Sequence, residues 1–179
     1  MAQSFTALLE ELARPRSRLG GGSSAAMAVA IAAALCEKLS GHGPTLQRLR
    51  VIRRQASAFI DQDAKAFARA ISALRSGRRP QARRALKAAT GLQGRVFRLA
   101  QELQAISRNA KLRIPSRYGS DLQCVMAIAM AAKRSAALLI RANIAWIDEP
   151  PYAKRMRRRL QSNFAKRPPQ NSVGRASSQ

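Results

Sequence analysis

The sequence predicts an all-α fold, an antiparallel bundle of about five long helices. The chain has 179 residues, of which 46% are apolar and only 4% are aromatic, and alanine is abundant. Glycine and proline cluster at a few breakpoints, and no run of alternating β-branched residues predicts a strand. Because nothing in the sequence repeats at a fixed period, an antiparallel bundle is the simplest architecture for such helices. Their alanine-lined faces also allow close pairing between subunits.

The first two helices are predicted from their apolar spacing and their end signals. Helix 4–13 ends before Pro15, because a residue that precedes proline disfavours helical geometry. Ser23 or Ser24 is predicted to cap the second helix, 23–39. This helix is apolar nearly all round, which is typical of a helix in the middle of a core.

Three longer helices follow, each with apolar residues at helical spacing. Pro44 fits the first turn of a helix at 44–75, where its missing N–H costs nothing. Helices with the same apolar spacing are predicted at 80–108 and at 120–147, and a loop containing Pro115 separates these two helices. The helical domain is therefore predicted to cover residues 1–149.

The remaining segment, 150–179, is predicted to be a basic tail, with a short helix opening at Pro151 and a disordered end. It carries eight lysines and arginines and no acid, within a chain of formal net charge +24. The positive electrostatic potential of such a chain would attract nucleic acid, an anionic membrane surface or a polyanionic small substrate. The plainer interpretation is a basic composition that only maintains solubility.

The run Gly20-Gly21-Gly22-Ser23 is a candidate ligand-binding segment. Glycine lets a backbone approach a ligand closely, and the start of a helix presents unpaired N–H groups to a carboxylate or phosphate. A flexible loop before a buried helix is the alternative.

Three polar residues occupy positions that need an explanation. Asp63 lies in the apolar stripe of helix 44–75, whereas Asp61 points to the opposite side. A shielded carboxylate has a raised pKa and suits acid–base chemistry near neutrality, although pairing with an arginine would explain it equally well. Asn143 interrupts the stripe of helix 120–147 and could hold a heterocycle or bridge helices. Asp121 could cap that helix.

Other features predict a soluble, cytoplasmic protein. The first residues contain Glu10 and Glu11 and lack the basic region of a signal peptide. The apolar segment after Ser23 meets charged residues too early to span a bilayer. Cys36 and Cys124 are predicted to be small buried residues in a reducing compartment. With one histidine in the chain, no metal site is predicted.

With these residues in view, the chain resembles the cyclodeaminase/cyclohydrolase family, from about Ser4 to Asp148. Family members carry P-G-G-G-S before an alanine-rich helix, D-x-D-A-x-A-F, S-D before an apolar helix, and R-I-N near that helix's end. The matching residues in this chain are Gly20, Gly21, Gly22 and Ser23, then Asp61, Asp63, Ala64, Ala66 and Phe67, then Ser120 and Asp121, and finally Arg141 and Asn143. The chain departs from the family pattern at Leu19, Arg117 and Leu139.

The resemblance implies a homodimer that acts on a tetrahydrofolate derivative near the subunit interface, without a metal. The activity would be that of a methenyltetrahydrofolate cyclohydrolase or a formiminotetrahydrofolate cyclodeaminase. Asp63 and Asp121 are the implied catalytic residues. The implied substrate-binding residues are Gly20, Gly21, Gly22, Ser23, Ser120, Arg141 and Asn143. The alternative hypothesis is a non-catalytic basic dimer that binds nucleic acid or another polyanion, with its tail as a contact.

Overall fold

The computed structural model describes residues 4–110 and 114–165, and these residues form six α-helices and no strand. The helices are α1 (Phe5–Ala13), α2 (Gly21–Leu39), α3 (Pro44–Arg75), α4 (Arg79–Ala110), α5 (Gly119–Ile147) and α6 (Pro150–Ala165), with a short 3-10 turn at Ser116–Tyr118. The predicted all-α class is confirmed. The five predicted helices and the short helix expected near Pro151 are all present, although α1, with nine residues, is short.

Local chemistry explains where the helices begin and end. The Ser4 side chain accepts a hydrogen bond of 3.1 Å from the Ala7 backbone N–H and so caps α1. Pro44 opens α3, as predicted, directly after Gly43. Gly77, with a φ of +67°, makes the left-handed turn between α3 and α4 that a side chain would strain.

The three longest helices pack around α2. Helices α3 and α4, joined by residues 76–78, lie along each other as a hairpin, and α5 packs on both α2 and α4. Small side chains let the backbones of these helices approach closely. The fully buried apolar residues of α2 are Ala26, Val29, Ala32, Ala33 and Cys36. This position explains why α2 is apolar nearly all round.

Helix α6 packs against the same core as the other helices. Its Ala153, Met156 and Leu160 are buried in the main apolar cluster. At the junction with α5, Lys87 donates a hydrogen bond of 2.6 Å to Glu149. The predicted basic helix is therefore present, while the predicted disordered end at 167–179 lies outside the described residues.

Two segments, Gly21–Leu39 and Ser116–Ile147, are long and apolar enough to cross a membrane by length and composition. Both pack within the bundle, and half of the most apolar stretch of the first is buried there. Their composition is thus that of core helices. Cys36 is buried as predicted, but the burial predicted for Cys124 is wrong, because that residue lies on an exposed side of α5.

Candidate active site

The glycine run forms the first turn of α2. The helix begins at Gly21, with Gly20 in the capping position, two residues earlier than predicted. The prediction that Ser23 or Ser24 caps the helix is wrong, because both serines already lie within the first turn. The Ser23 hydroxyl donates a 2.9 Å hydrogen bond to the Ile60 carbonyl, and the Ser24 hydroxyl donates one of 3.0 Å to the Gly20 carbonyl.

The carboxylate of Asp63 supplies the cap that Gly20 lacks. Asp63 reaches from α3 to the start of α2, and its side chain accepts a hydrogen bond from the Ser23 backbone N–H. Its Oδ1 also accepts a 2.7 Å hydrogen bond from Nε2 of Gln93 on α4. Three helices therefore meet at one carboxylate, which is only 8% exposed.

Burial raises the pKa of Asp63 above its ordinary value, against the hydrogen bonds from Gln93 and Ser23, which lower it. Removal from water favours the neutral acid, whereas donors aimed at the carboxylate favour the charged form. No ion pair joins Asp63 to an arginine within the described residues. The carboxyl group is thus shielded from water, with its pKa shifted upward, and is held by one side-chain donor and one backbone donor.

Gly22 is required for this close approach of α2 to Asp63. A Cβ on Gly22 would overlap the Asp63 carboxylate and the Gln93 amide. A Cβ on Gly21 would make an ordinary contact of 3.4 Å with Leu139, and one on Gly20 would meet nothing within 4 Å. All three glycines are predicted from the sequence to let a ligand approach the backbone. Gly22 is also required for the packing of α2 against Asp63 and Gln93.

A small cavity of about 100 Å³ opens beside Asp63. We call it the carboxylate pocket, and its lining residues are Arg18, Gly20, Gly21, Gly22, Asp63, Phe67, Ala89, Gln93, Leu139 and Asn143. The structure thus brings together five of the residues predicted from the sequence, and Ser23 contributes its backbone N–H. The pocket combines an acid, two amides and a guanidinium with apolar walls.

Ser120, Asp121 and Arg141 do not line this pocket. Helix α5 is continuous, so Asp121 and Asn143 lie about 33 Å apart along it at ~1.5 Å per residue. The Asp121 carboxylate lies 3.7 Å from Nζ of Lys38, and the helix has no side-chain cap. Arg141 is exposed. Within one chain, these residues are separate from Asp63.

Gln93 is the functional residue that the sequence analysis missed. It is 1% exposed, and its Oε1 has no hydrogen-bond partner among the residues that the structure describes. A buried amide oxygen without a donor is costly, which suggests that a ligand supplies the donor. The sequence does contain a signal for Gln93. This polar residue lies four residues after Ala89, within the apolar stripe of its helix, and the same kind of exception drew attention to Asp63.

No group of three histidine, cysteine, aspartate or glutamate side chains that could hold a metal ion occurs in residues 4–110 and 114–165. The polar groups that line the carboxylate pocket are one carboxyl group, two amides and one guanidinium.

Comparison with known proteins agrees with this architecture. The family model described as formiminotransferase-cyclodeaminase matches residues 42–162. The crystal structure of formiminotetrahydrofolate cyclodeaminase from Thermotoga maritima superposes with a TM-score of 0.83 at 18% sequence identity, covering 91% of this chain and 89% of that one. No curated protein matches significantly. The structural likeness establishes the shared fold, and the match over two thirds of the sequence shows that the chain belongs to the formiminotransferase-cyclodeaminase family.

Proposed function

We propose that the chain is a folate one-carbon enzyme, a methenyltetrahydrofolate cyclohydrolase or a formiminotetrahydrofolate cyclodeaminase, in which Asp63 transfers the proton. The observation that carries this proposal is the shielded Asp63 carboxylate beside a cavity, held by Gln93 and by the start of α2. Membership in the family supports the substrate class.

In a cyclodeaminase reaction, N10 of 5-formiminotetrahydrofolate attacks the formimino carbon and forms the new N–C bond. The Asp63 carboxylate takes the proton from N10 and returns it to the exocyclic nitrogen, the C–N bond to that nitrogen breaks, and ammonia leaves. A raised pKa suits both halves of this exchange, because the group must accept and then release a proton near neutral pH.

In a cyclohydrolase reaction, water adds to the bridge carbon of the methenyl compound. Asp63 accepts a proton from that water and delivers it to N5 as the N5–C bond breaks, while the remaining hydroxyl proton passes to solvent, which leaves the 10-formyl product. Both reactions pass through a tetrahedral carbon, so one arrangement of acid and hydrogen-bond partners serves either.

The other pocket residues suit the pterin end of a folate. The unpartnered Oε1 of Gln93 and the amide of Asn143 can bind N–H and carbonyl groups on the edge of a pterin. Arg18, at the same cavity, adds guanidinium donors for an acceptor on that edge.

A second subunit is part of the proposal. A cavity of 100 Å³ is smaller than the roughly 300–1,000 Å³ of typical small-molecule sites, so one chain cannot enclose a folate. Phe67 at the cavity is 42% exposed, and Leu138 and Trp146 on α5 are 63% and 55% exposed. A homodimer that covers these apolar side chains would complete the site. Ser120, Asp121 and Arg141 could then reach it only from the partner.

The activity is tested with purified protein and 5,10-methenyltetrahydrofolate, by the loss of near-ultraviolet absorbance. Ammonia release from 5-formiminotetrahydrofolate tests the cyclodeaminase alternative. Asp63→Asn should lower kcat by roughly 10²–10⁴-fold, the usual contribution of a general acid or base. Asp61→Asn is the matched control, because this exposed neighbour carries the same charge on the opposite side of α3. Equal activity of the two variants would remove Asp63 from the mechanism.

The homodimer is tested by sedimentation equilibrium. Leu138→Lys should shift the chain toward monomer and raise KM, because a charge would replace the most exposed apolar side chain of α5. Leu74→Lys, at another exposed apolar residue near the end of α3, serves as the control. A wild-type monomer with full activity would contradict the shared site. We also expect the enzyme to be soluble and cytoplasmic, where reduced folates are available.

A further inference from the structure

A second cavity, of about 370 Å³, lies between α4 and α6 on another side of the bundle. We call it the arginine groove. Four arginines line it: Arg95 and Arg98 from α4, and Arg155 and Arg159 from α6. Its other lining residues are Thr90, Gly91, Gly94, Phe97, Ile140, Tyr152, Met156 and Leu160. The groove therefore has an apolar floor and a strongly positive rim.

No acid forms an ion pair with these arginines. All nine acidic residues of the chain lie in the described part, and none of their carboxylates lies within 4.0 Å of any of the four guanidinium groups. Glu149 forms its ion pair with Lys87, whose hydrogen bond is the main reason that the pKa of Glu149 is lowered, and the charge of Arg155 adds a smaller contribution. Like charges around one concavity repel one another, so the groove attracts an anion.

Two of the guanidinium groups lie over aromatic rings. The guanidinium carbon of Arg95 is 5.1 Å from the centre of the Phe59 ring, and that of Arg155 is 5.3 Å from the centre of the Tyr152 ring. A cation–π contact of this kind holds the group without using its N–H donors. These donors stay available for bidentate hydrogen bonds to a planar or tetrahedral anion, the geometry in which arginine binds phosphate.

Glycine gives the groove its depth. Gly91 and Gly94 lie three residues apart on the side of α4 that lines the groove, and a Cβ on Gly91 would meet nothing within 4 Å. Glycine within a helix costs up to about 1 kcal/mol relative to alanine. The two glycines keep open a volume that lies within the range of small-molecule sites.

We propose that the arginine groove binds the diphosphate group of a small organic molecule, whose apolar part rests on Phe97, Tyr152 and Met156. Four guanidinium groups match a ligand with several negative charges, and the apolar floor distinguishes the groove from a surface that only attracts counterions. A concavity of this volume between two helices favours a small ligand over a nucleic acid, which needs a longer track of charge.

The experiment is calorimetric titration of the full-length protein with ADP, and separately with pyrophosphate and adenosine, at constant ionic strength. ADP and pyrophosphate should each bind with one site per chain, and adenosine should not bind. The double variant Arg98→Gln/Arg159→Gln should weaken ADP binding at least tenfold. The matched control Arg134→Gln/Arg158→Gln removes the same charge from exposed positions outside the groove, one of them on α6, and should change the affinity less than twofold.

Three results would overturn the proposal: no saturable binding of either phosphate compound, equal weakening in both double variants, or tight binding of a DNA oligonucleotide that ADP does not displace. Circular dichroism of each variant checks that it is folded, and all four substituted arginines are exposed. The titration needs no folate and no turnover, so its outcome is separate from that of the proposed enzyme activity.

Discussion

The carboxylate pocket and the arginine groove share α4 and α5 but handle charge in opposite ways. In the pocket, one acid is surrounded by donors that the protein itself supplies, from the Gln93 side chain and the Ser23 backbone. In the groove, four bases face one space without an acid to pair with them. The contrast teaches that a buried charge is held by internal hydrogen bonds, whereas the exposed charges of the groove have no ion-pair partner among the residues that the structure describes.

The glycines of the two cavities give the largest expected difference in stability. Gly22→Ala should lower the free energy of unfolding by about 1–3 kcal/mol, because its Cβ would overlap Asp63 and Gln93. Gly91→Ala, which has open space, should instead raise it by up to about 1 kcal/mol through helix propensity. Urea denaturation of both variants measures these values. Similar effects of the two substitutions would show that Asp63 does not pack against α2 in this way.

The pH dependence of stability is the next largest effect. Because the pKa of Asp63 is raised in the folded protein, its contribution is favourable below the unfolded pKa of about 3.9 and is lost as the pH rises through the folded pKa. Relative to Asp63→Asn, the wild type should therefore become less stable between pH 4 and neutrality. Each unit by which the pKa is raised corresponds to about 1.4 kcal/mol.

Unfolding free energies of the wild type, Asp63→Asn and Asp61→Asn across this range give the comparison. Asp61 is exposed, so its substitution should give a nearly flat difference. A wild type that gains stability over Asp63→Asn as the pH rises would show that hydrogen bonding outweighs burial at this carboxylate.

Repulsion within the groove gives the smallest expected effect. At low ionic strength and without phosphate, Arg98→Gln/Arg159→Gln should stabilise the fold by a few tenths of a kcal/mol, because like charges at close range are mildly destabilising. The gain should vanish at ~1 M salt, where the screening length is about 3 Å. Thermal denaturation at both salt concentrations measures it. A gain that persists at high salt would point to packing rather than charge.

The sequence was sufficient to predict where the helices lie, because apolar spacing and helix-breaking residues are local signals. Pro44, Pro115 and the Gly77 turn separate helices where they were expected, and the starts of α4 and α5 differ from the prediction by one residue. Asp63 was found because a polar residue in an apolar stripe stands out. The serine caps were predicted wrongly because the true capping group comes from a different helix, a contact that no local pattern encodes.

Other features of the site depend on how the helices meet. The apolar stripe of α4 marks Gln93 as an exception, but its partner Asp63 is evident only from the packing of the helices. Arg18 gives no signal in the sequence, because its place at the cavity depends on how the segment before α2 folds. The arginine groove could not be predicted because its two halves lie about 60 residues apart along the chain. High charge was evident from composition, but its concentration between α4 and α6 is a property of the packing.

The Asp63 carboxylate fastens the first turn of α2 to α3 and α4, whatever reaction takes place beside it. A relative without catalytic activity would still need this acid, because its loss would leave the first turn of the central helix without a cap. Retention of the aspartate in a relative is therefore evidence for the shared scaffold and not, by itself, for an enzyme.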